Sequence, residues 1–196
     1  MNKKNNIVEE VRKFVEEIFA LPEARYKQSY KGHFIPVVNY SRELAKEKML
    51  DNESKEVLEI AAWLHDIGSI ACGRENHHVT GAEIAEKKLK ELNYPEEKIE
   101  RVKKCILNHR GSTEKDNQRN SVEENILVEV DVMSAFDNIL GLFRAAFDWE
   151  DLDDEQARKS VREKLIRKYN QLSLEGKKLV KPKYEAAMLL LGDVNR

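Results

Sequence analysis

Cysteine is scarce in this chain: Cys72 and Cys105 are its only two. Two thiols cannot make a disulfide framework, so a reducing, cytoplasmic setting is expected. Proline and glycine are also scarce, at four and eight among 196 residues. Few turns are available, and no stretch alternates polar and apolar residues with period two, which argues against a fold built on β-sheet. No apolar run approaches the roughly 20 residues of a membrane span. The basic start, Met1 to Asn6, leads into an amphipathic segment instead of a leader-type apolar block, so no membrane partner is expected. Neither sign of charge is in surplus: 34 Lys and Arg face 36 Asp and Glu, for a net charge of −2. An extended nucleic-acid surface needs a basic excess, so no nucleic-acid polymer is expected as a partner.

What is present is helix after helix. Ile7, Val11, Val15 and Ile18 make a first apolar stripe that ends near Leu21-Pro22. A connector through Lys31-Gly32 leads to a helix that holds Pro36 in its first turn, with His33, Val37, Tyr40 and Leu44 on one face. Asn52 is placed to cap the next helix, which turns Val57, Leu58, Ala61, Leu64 and His65 inward. After a break from Gly68 to Gly73, a helix is predicted from about His77 to Leu92, burying Ile84, Ala85 and Leu89. Asn93-Tyr94-Pro95 opens another, with Ile99, Val102, Ile106 and His109 spaced by three and four. Residues 110–120 read as a polar loop. Ser121 and Glu124 form a capping-box pattern that starts a helix through Val128, Asp131 and Phe136. Beyond the acidic turn from Asp148 to Glu155, a helical hairpin is expected over about residues 154–192.

One run departs from this amphipathic pattern. Residues 61 to 68 read Ala-Ala-Trp-Leu-His-Asp-Ile-Gly, an imidazole and a carboxylate inside an apolar stretch. A carboxylate in such a setting needs something to compensate its charge. His33, His65, His109 and Asp131 fall on the apolar faces of four different predicted helices. Asp66 follows His65 where Gly68 lets the backbone turn, and His77 or His78 is a further candidate. Any one of these histidines alone reads better as a hydrogen-bonded core residue, and Asp131 alone is as readily a surface residue beside Glu129. As a set they would need too many neutral partners, whereas imidazole and carboxylate are the ligands a divalent cation takes.

The order of these residues resembles the HD superfamily of metal-dependent phosphohydrolases: a His, a His-Asp pair and a distant Asp, here His33, His65-Asp66 and Asp131. The flanking runs agree, namely Leu-His-Asp-Ile-Gly, His-His-Val-Thr-Gly-Ala-Glu-Ile-Ala and Ile-Leu-Asn-His-Arg. The resemblance implies an all-α, HD-like helical bundle, one domain over residues 1–196. Its core would span about residues 25–145, with the C-terminal hairpin packed on it. It also implies that His33, His65, Asp66 and Asp131 hold one ion. Members with two ions add two histidines and use the central Asp as a bridge. Here the first addition is His77, four residues before the Gly81-Ala82 pair, and the second is His109. His78 is then left to face substrate, although the two neighbours can exchange roles. The expected cofactors are two divalent cations drawn from Mn, Fe, Ni, Co and Zn.

One departure concerns the phosphate. Many members follow His-Asp-x-Gly with a Lys that reaches substrate phosphate, and this chain has Ser69 there. Arg110 and Arg74 are the candidate replacements, although Arg74 reads more readily as a solvated surface residue, and Lys31 is weaker still. The implied activity is hydrolysis of a phosphate ester on a nucleotide or similar small phosphorylated metabolite. Its catalytic candidates are Asp66, His78 and Arg110. The expected partners are that small molecule and a second copy of the chain in a homodimer. Two other functions share the scaffold: an HD-type di-iron oxygenase acting on an alcohol, and a non-catalytic nucleotide-sensing domain.

Overall fold

The apolar stripes fold as helices, and a computed structural model describes residues 6–110 and 119–192 of the chain. Among the described residues there is no strand. Helix α1 (Ile7–Ala20) buries Val11, Val15 and Phe19, four residues apart, so Phe19 takes the inward place expected of Ile18. The next element is a π-helical turn over Tyr30–Phe34, which runs directly into α2 (Ile35–Glu47). His33 therefore lies in the π turn and not on α2. Pro36 explains this local widening: it has no N–H to offer Gly32, and the Ile35 N–H donates to the Tyr30 carbonyl five residues back.

Helix α3 (Asn52–Leu64) is capped by Asp51, whose carboxylate accepts from the Ser54 N–H at 2.7 Å. Asn52, expected as the cap, is the first helical residue. The expected break after Gly68 also needs correction, because Ile67–Ala71 forms a short buried helix, α4. Gly68 permits this. A Cβ at that position would overlap the His77 carbonyl and Thr80 Oγ1, so the missing side chain lets α4 lie against α5 (His77–Glu91). Helix α6 (Glu96–Asn108) packs on α5 and ends at His109. The polar loop expected over 110–120 falls almost wholly on residues 111–118, which lie outside the described residues.

Helix α7 (Val122–Ser134) starts with the expected capping box between Ser121 and Glu124. Its buried face is Ile126, Leu127, Val130 and Met133; Val128 and Asp131 flank that face, and Phe136 lies beyond the helix end. A separate helix, α8 (Ile139–Asp148), follows, where the sequence had given no boundary before the acidic turn. The hairpin is α9 (Asp154–Gln171) and α10 (Leu174–Leu191). It is bonded to the body: Glu129 of α7 accepts the Ser173 N–H at the start of α10 at 2.7 Å, a carboxylate at a helix N-terminus. Lys183 of α10 reaches Asp137 at 2.5 Å and the Tyr40 hydroxyl at 2.9 Å. One apolar core joins Val15, Leu44, Leu64, Leu89, Ile106 and Leu127 with Val161 and Val180 of the hairpin.

Candidate metal centre

Five chain segments bring six of the candidate residues together. The π turn supplies His33, the end of α3 supplies His65 and Asp66, the α5 N-terminus supplies His77, and the end of α6 supplies His109. Asp131 enters from α7. Asp66 is the hub. Its Oδ2 lies 3.4 Å from His33 Nε2 and 3.8 Å from His65 Nε2. Its Oδ1 lies 3.1 Å from His77 Nε2 and 3.4 Å from His109 Nε2. Asp131 Oδ1 stands 3.4 Å from His33 Nε2. Two groups capable of holding a metal ion result, His33-His65-Asp66 and Asp66-His77-His109, and they share Asp66.

Each ring is oriented from behind. His65 Nδ1–H donates to the Ala62 carbonyl at 2.8 Å, His77 Nδ1–H to the Arg74 carbonyl at 2.9 Å, and His109 Nδ1–H to the Ile106 carbonyl. Ser134 donates its hydroxyl to the Asp131 carbonyl at 2.7 Å and so accepts His33 Nδ1–H at 2.8 Å. All four histidines thus aim Nε2 at the cluster, the arrangement that orients imidazole ligands in metal sites. His33 and His65 make the sharpest test of fit. Their Nε2 atoms stand 2.9 Å apart, a spacing that needs a positive centre between the two lone pairs, either a proton carried by His33 or a cation in its place. Adjacent ligand atoms on one ion, each about 2.0–2.1 Å from it, are separated by roughly 3 Å. The donor set fits a cation.

The charges agree with the geometry. Burial would raise the Asp66 pKa, but the neighbouring His65 and the hydrogen bonds from His109, His33 and His77 hold the carboxyl well below its usual range. Burial pulls His33 and His109 down, yet the hydrogen bond to Asp66 and the charge of Asp131 lift both above the ordinary imidazole value. Burial dominates at His65, pushing it down to about 4 and keeping it a neutral electron-pair donor. The acids themselves are not sealed in the core, as the sequence suggested: Asp66 and Asp131 open onto a cavity of about 710 Å³.

Arg110, next to His109, lines this cavity, as does Ser69 in the place where a Lys was absent. His78 is not among the lining residues; its ring meets that of His77 at 5.9 Å between centroids. Lys31 does not line the cavity either, whereas Arg74 does, with its guanidinium 4.5 Å over the Trp149 ring. The expected solvated surface role for Arg74 is therefore incomplete. Sequence reasoning missed Ser134, Asp137, Arg144 and Trp149 near the site. Ser134 carried a signal, standing one helical turn after Asp131. The last two lie on or just past α8, a helix whose start was not seen.

Comparison with protein families matches the HD domain to residues 30–141. Neither a curated protein nor a solved structure gives a match. The matched stretch begins in the π turn that carries His33, contains the whole His/Asp cluster and covers more than half of the chain. This protein belongs to the HD domain family.

Proposed function

We propose that the chain is a metal-dependent phosphohydrolase for a nucleotide or other small phosphorylated metabolite, working at a two-cation centre. The observation that carries this is the division of labour at Asp66, whose two oxygens face two different pairs of histidines. One cation would be held by His33, His65, Asp66 and Asp131, the other by Asp66, His77 and His109. Divalent cations there, from among Mn, Fe, Ni, Co and Zn, would supply Lewis-acid charge and acidify water.

The chain's own residues do the rest. Asp66 stays ionised across the working range because three imidazoles hydrogen-bond it. His65 stays neutral, and its Nδ1 proton is fixed on a backbone carbonyl, so its free pair keeps one direction. Arg110 lines the same cavity and offers a planar fork of N–H donors to phosphoryl oxygens as their charge grows. His78 has no part in this proposal. The test is metal analysis of the purified protein, followed by a screen of phosphate esters without dioxygen after loading with Mn or Co. Hydrolysis of at least one ester is expected. Iron-loaded protein that instead consumes dioxygen with an alcohol, and hydrolyses nothing with any metal, assigns the chain to the oxygenase class.

A further inference from the structure

Four arginines have an evident structural partner. Arg12 pairs with Glu9 and Glu16, Arg42 with Glu59, and Arg101 with Glu53 and Glu123, while Arg158 bonds the Leu191 carbonyl. Arg74 and Arg144 differ. Both line the cavity beside the His/Asp cluster, and among the described residues neither has a carboxylate within ion-pair distance. They reach the cavity from opposite elements, Arg74 from the turn between α4 and α5, and Arg144 from α8.

Arg74 is also held in place. Its guanidinium lies 4.5 Å over the Trp149 ring, just past α8, a cation–π contact that holds the group without using an N–H donor on a carboxylate. Its backbone carbonyl accepts the Nδ1–H of His77. One residue thereby connects the cavity wall to a ring of the cluster. The carboxylates lining the cavity are Asp66, Asp131 and Asp137. The first two belong to the cluster, and Asp137 is engaged by Lys183 and the Tyr40 hydroxyl. Two unpaired guanidiniums beyond the cluster are more positive charge than one phosphoryl group at the centre would use.

We infer that Arg74 and Arg144 form a second anion subsite, so that the ligand carries two phosphoryl groups, one over the His/Asp cluster and one between these arginines. This rests on the phosphohydrolase reading for the first group and extends it: the substrate is a diphosphate, with adjacent phosphoryl groups, not a simple monoester. Trp149 lies beside the second group and reports its arrival, since the other tryptophan, Trp63, is buried.

The experiment titrates the full-length protein, its metal content measured before and after, with inorganic pyrophosphate and with orthophosphate. Calorimetry gives the affinities and tryptophan fluorescence follows the Arg74–Trp149 stack. Pyrophosphate should bind at least about tenfold tighter, as expected for added charge-assisted hydrogen bonds, and should change the Trp149 emission. The Arg74→Met/Arg144→Met double variant should lose most of that ratio. Both positions are exposed, so helical circular dichroism should be retained. Arg74→Lys separates charge from stacking: it should restore part of the ratio without restoring the fluorescence change. Equal affinities in the unsubstituted protein, binding of neither anion, or a ratio that survives in the double variant overturns the subsite. A pyrophosphate preference that depends on the arginines, in protein that hydrolyses no ester with any metal, sinks the hydrolase reading and leaves the subsite standing.

Discussion

At the scale of single residues, Asp66 has the largest share of the site, because both of its oxygens are committed to histidine rings that face each other across it. Asp66→Asn keeps the shape and removes the shared negative charge. Metal content should fall, and turnover on any ester found should drop by roughly two orders of magnitude or more, the scale of losing one preorganised charge-stabilising group. Metal analysis and kcat on the same preparation check this; unchanged content and kcat would remove Asp66 from the bridging position. His77 and His109 face only Oδ1, on the side away from His33. Changing either to Ala should lower occupancy from about two ions to about one while the helical spectrum persists. Full occupancy in both variants would return the centre to a single ion. The His-Asp pair was legible because charge inside an apolar run stands out. The choice of His77 over His78 comes from its place four residues before Gly81-Ala82, as the resemblance implies, and its physical reason is geometric: adjacent residues at a helix start point about 100° apart, and His77 is the one that meets Asp66. For Arg74 the charge was legible but its contact with Trp149 was not, since Trp149 lies far along the chain.

At the scale of elements, the site depends on where helices stop. His65 and His109 each follow a last helical residue, and each returns its Nδ1–H to a carbonyl three residues back. Helix starts and periodic faces could be read from the pattern of apolar residues, including the Ser121–Glu124 capping box. Hidden from the sequence were the π turn at His33, set by Pro36, and α4, which occupies a stretch whose glycines suggested a break. A glycine marks either a turn or a close approach, and the sequence does not say which. Gly68 is a close approach. Gly68→Ala would press its methyl on the His77 carbonyl and the Gly81 backbone N–H. An expected cost of about 1–3 kcal/mol follows from overpacking, with loss of the ion that His77 would hold. Gly81→Ala is the control, because a Cβ there meets its nearest neighbours at 3.4 Å and beyond, in ordinary contact. Urea denaturation and metal analysis of the pair check this, and equal stability of the two variants would count against the proposed α4–α5 contact. Removing the cap with Ser121→Ala should cost about 1 kcal/mol and shift the urea midpoint without touching metal content, since Ser121 contacts no cluster residue.

At the scale of the whole molecule, the fold sets charged groups from widely separated segments into one pocket, and that makes cation binding compete with protons. His33 and His109 are held above the ordinary imidazole pKa of 6.5, with Asp66 accepting from both and Asp131 adding its charge. A group whose pKa is raised keeps its proton to higher pH, so at neutral pH each cation must displace the proton of its own ring, His33 for one and His109 for the other. His65, pushed down to about 4, is already neutral there and has none to give. The sign follows: affinity for a divalent cation rises with pH, and the dependence extends above 6.5 instead of ending there. With one ring releasing its proton to each cation, each affinity should rise by up to roughly tenfold per pH unit where its ring is charged. Calorimetric titration of Mn between pH 6 and 8.5, repeated in two buffers of different ionisation heat, counts the protons released. A count between one and two that shrinks toward zero at the alkaline end is expected. His109→Ala should lower it by about one, because it removes one of the two displaced protons and leaves the His33 side of Asp66 in place. A count that is zero throughout, or that stays the same in the variant, would mean that the cation binds somewhere other than against these rings.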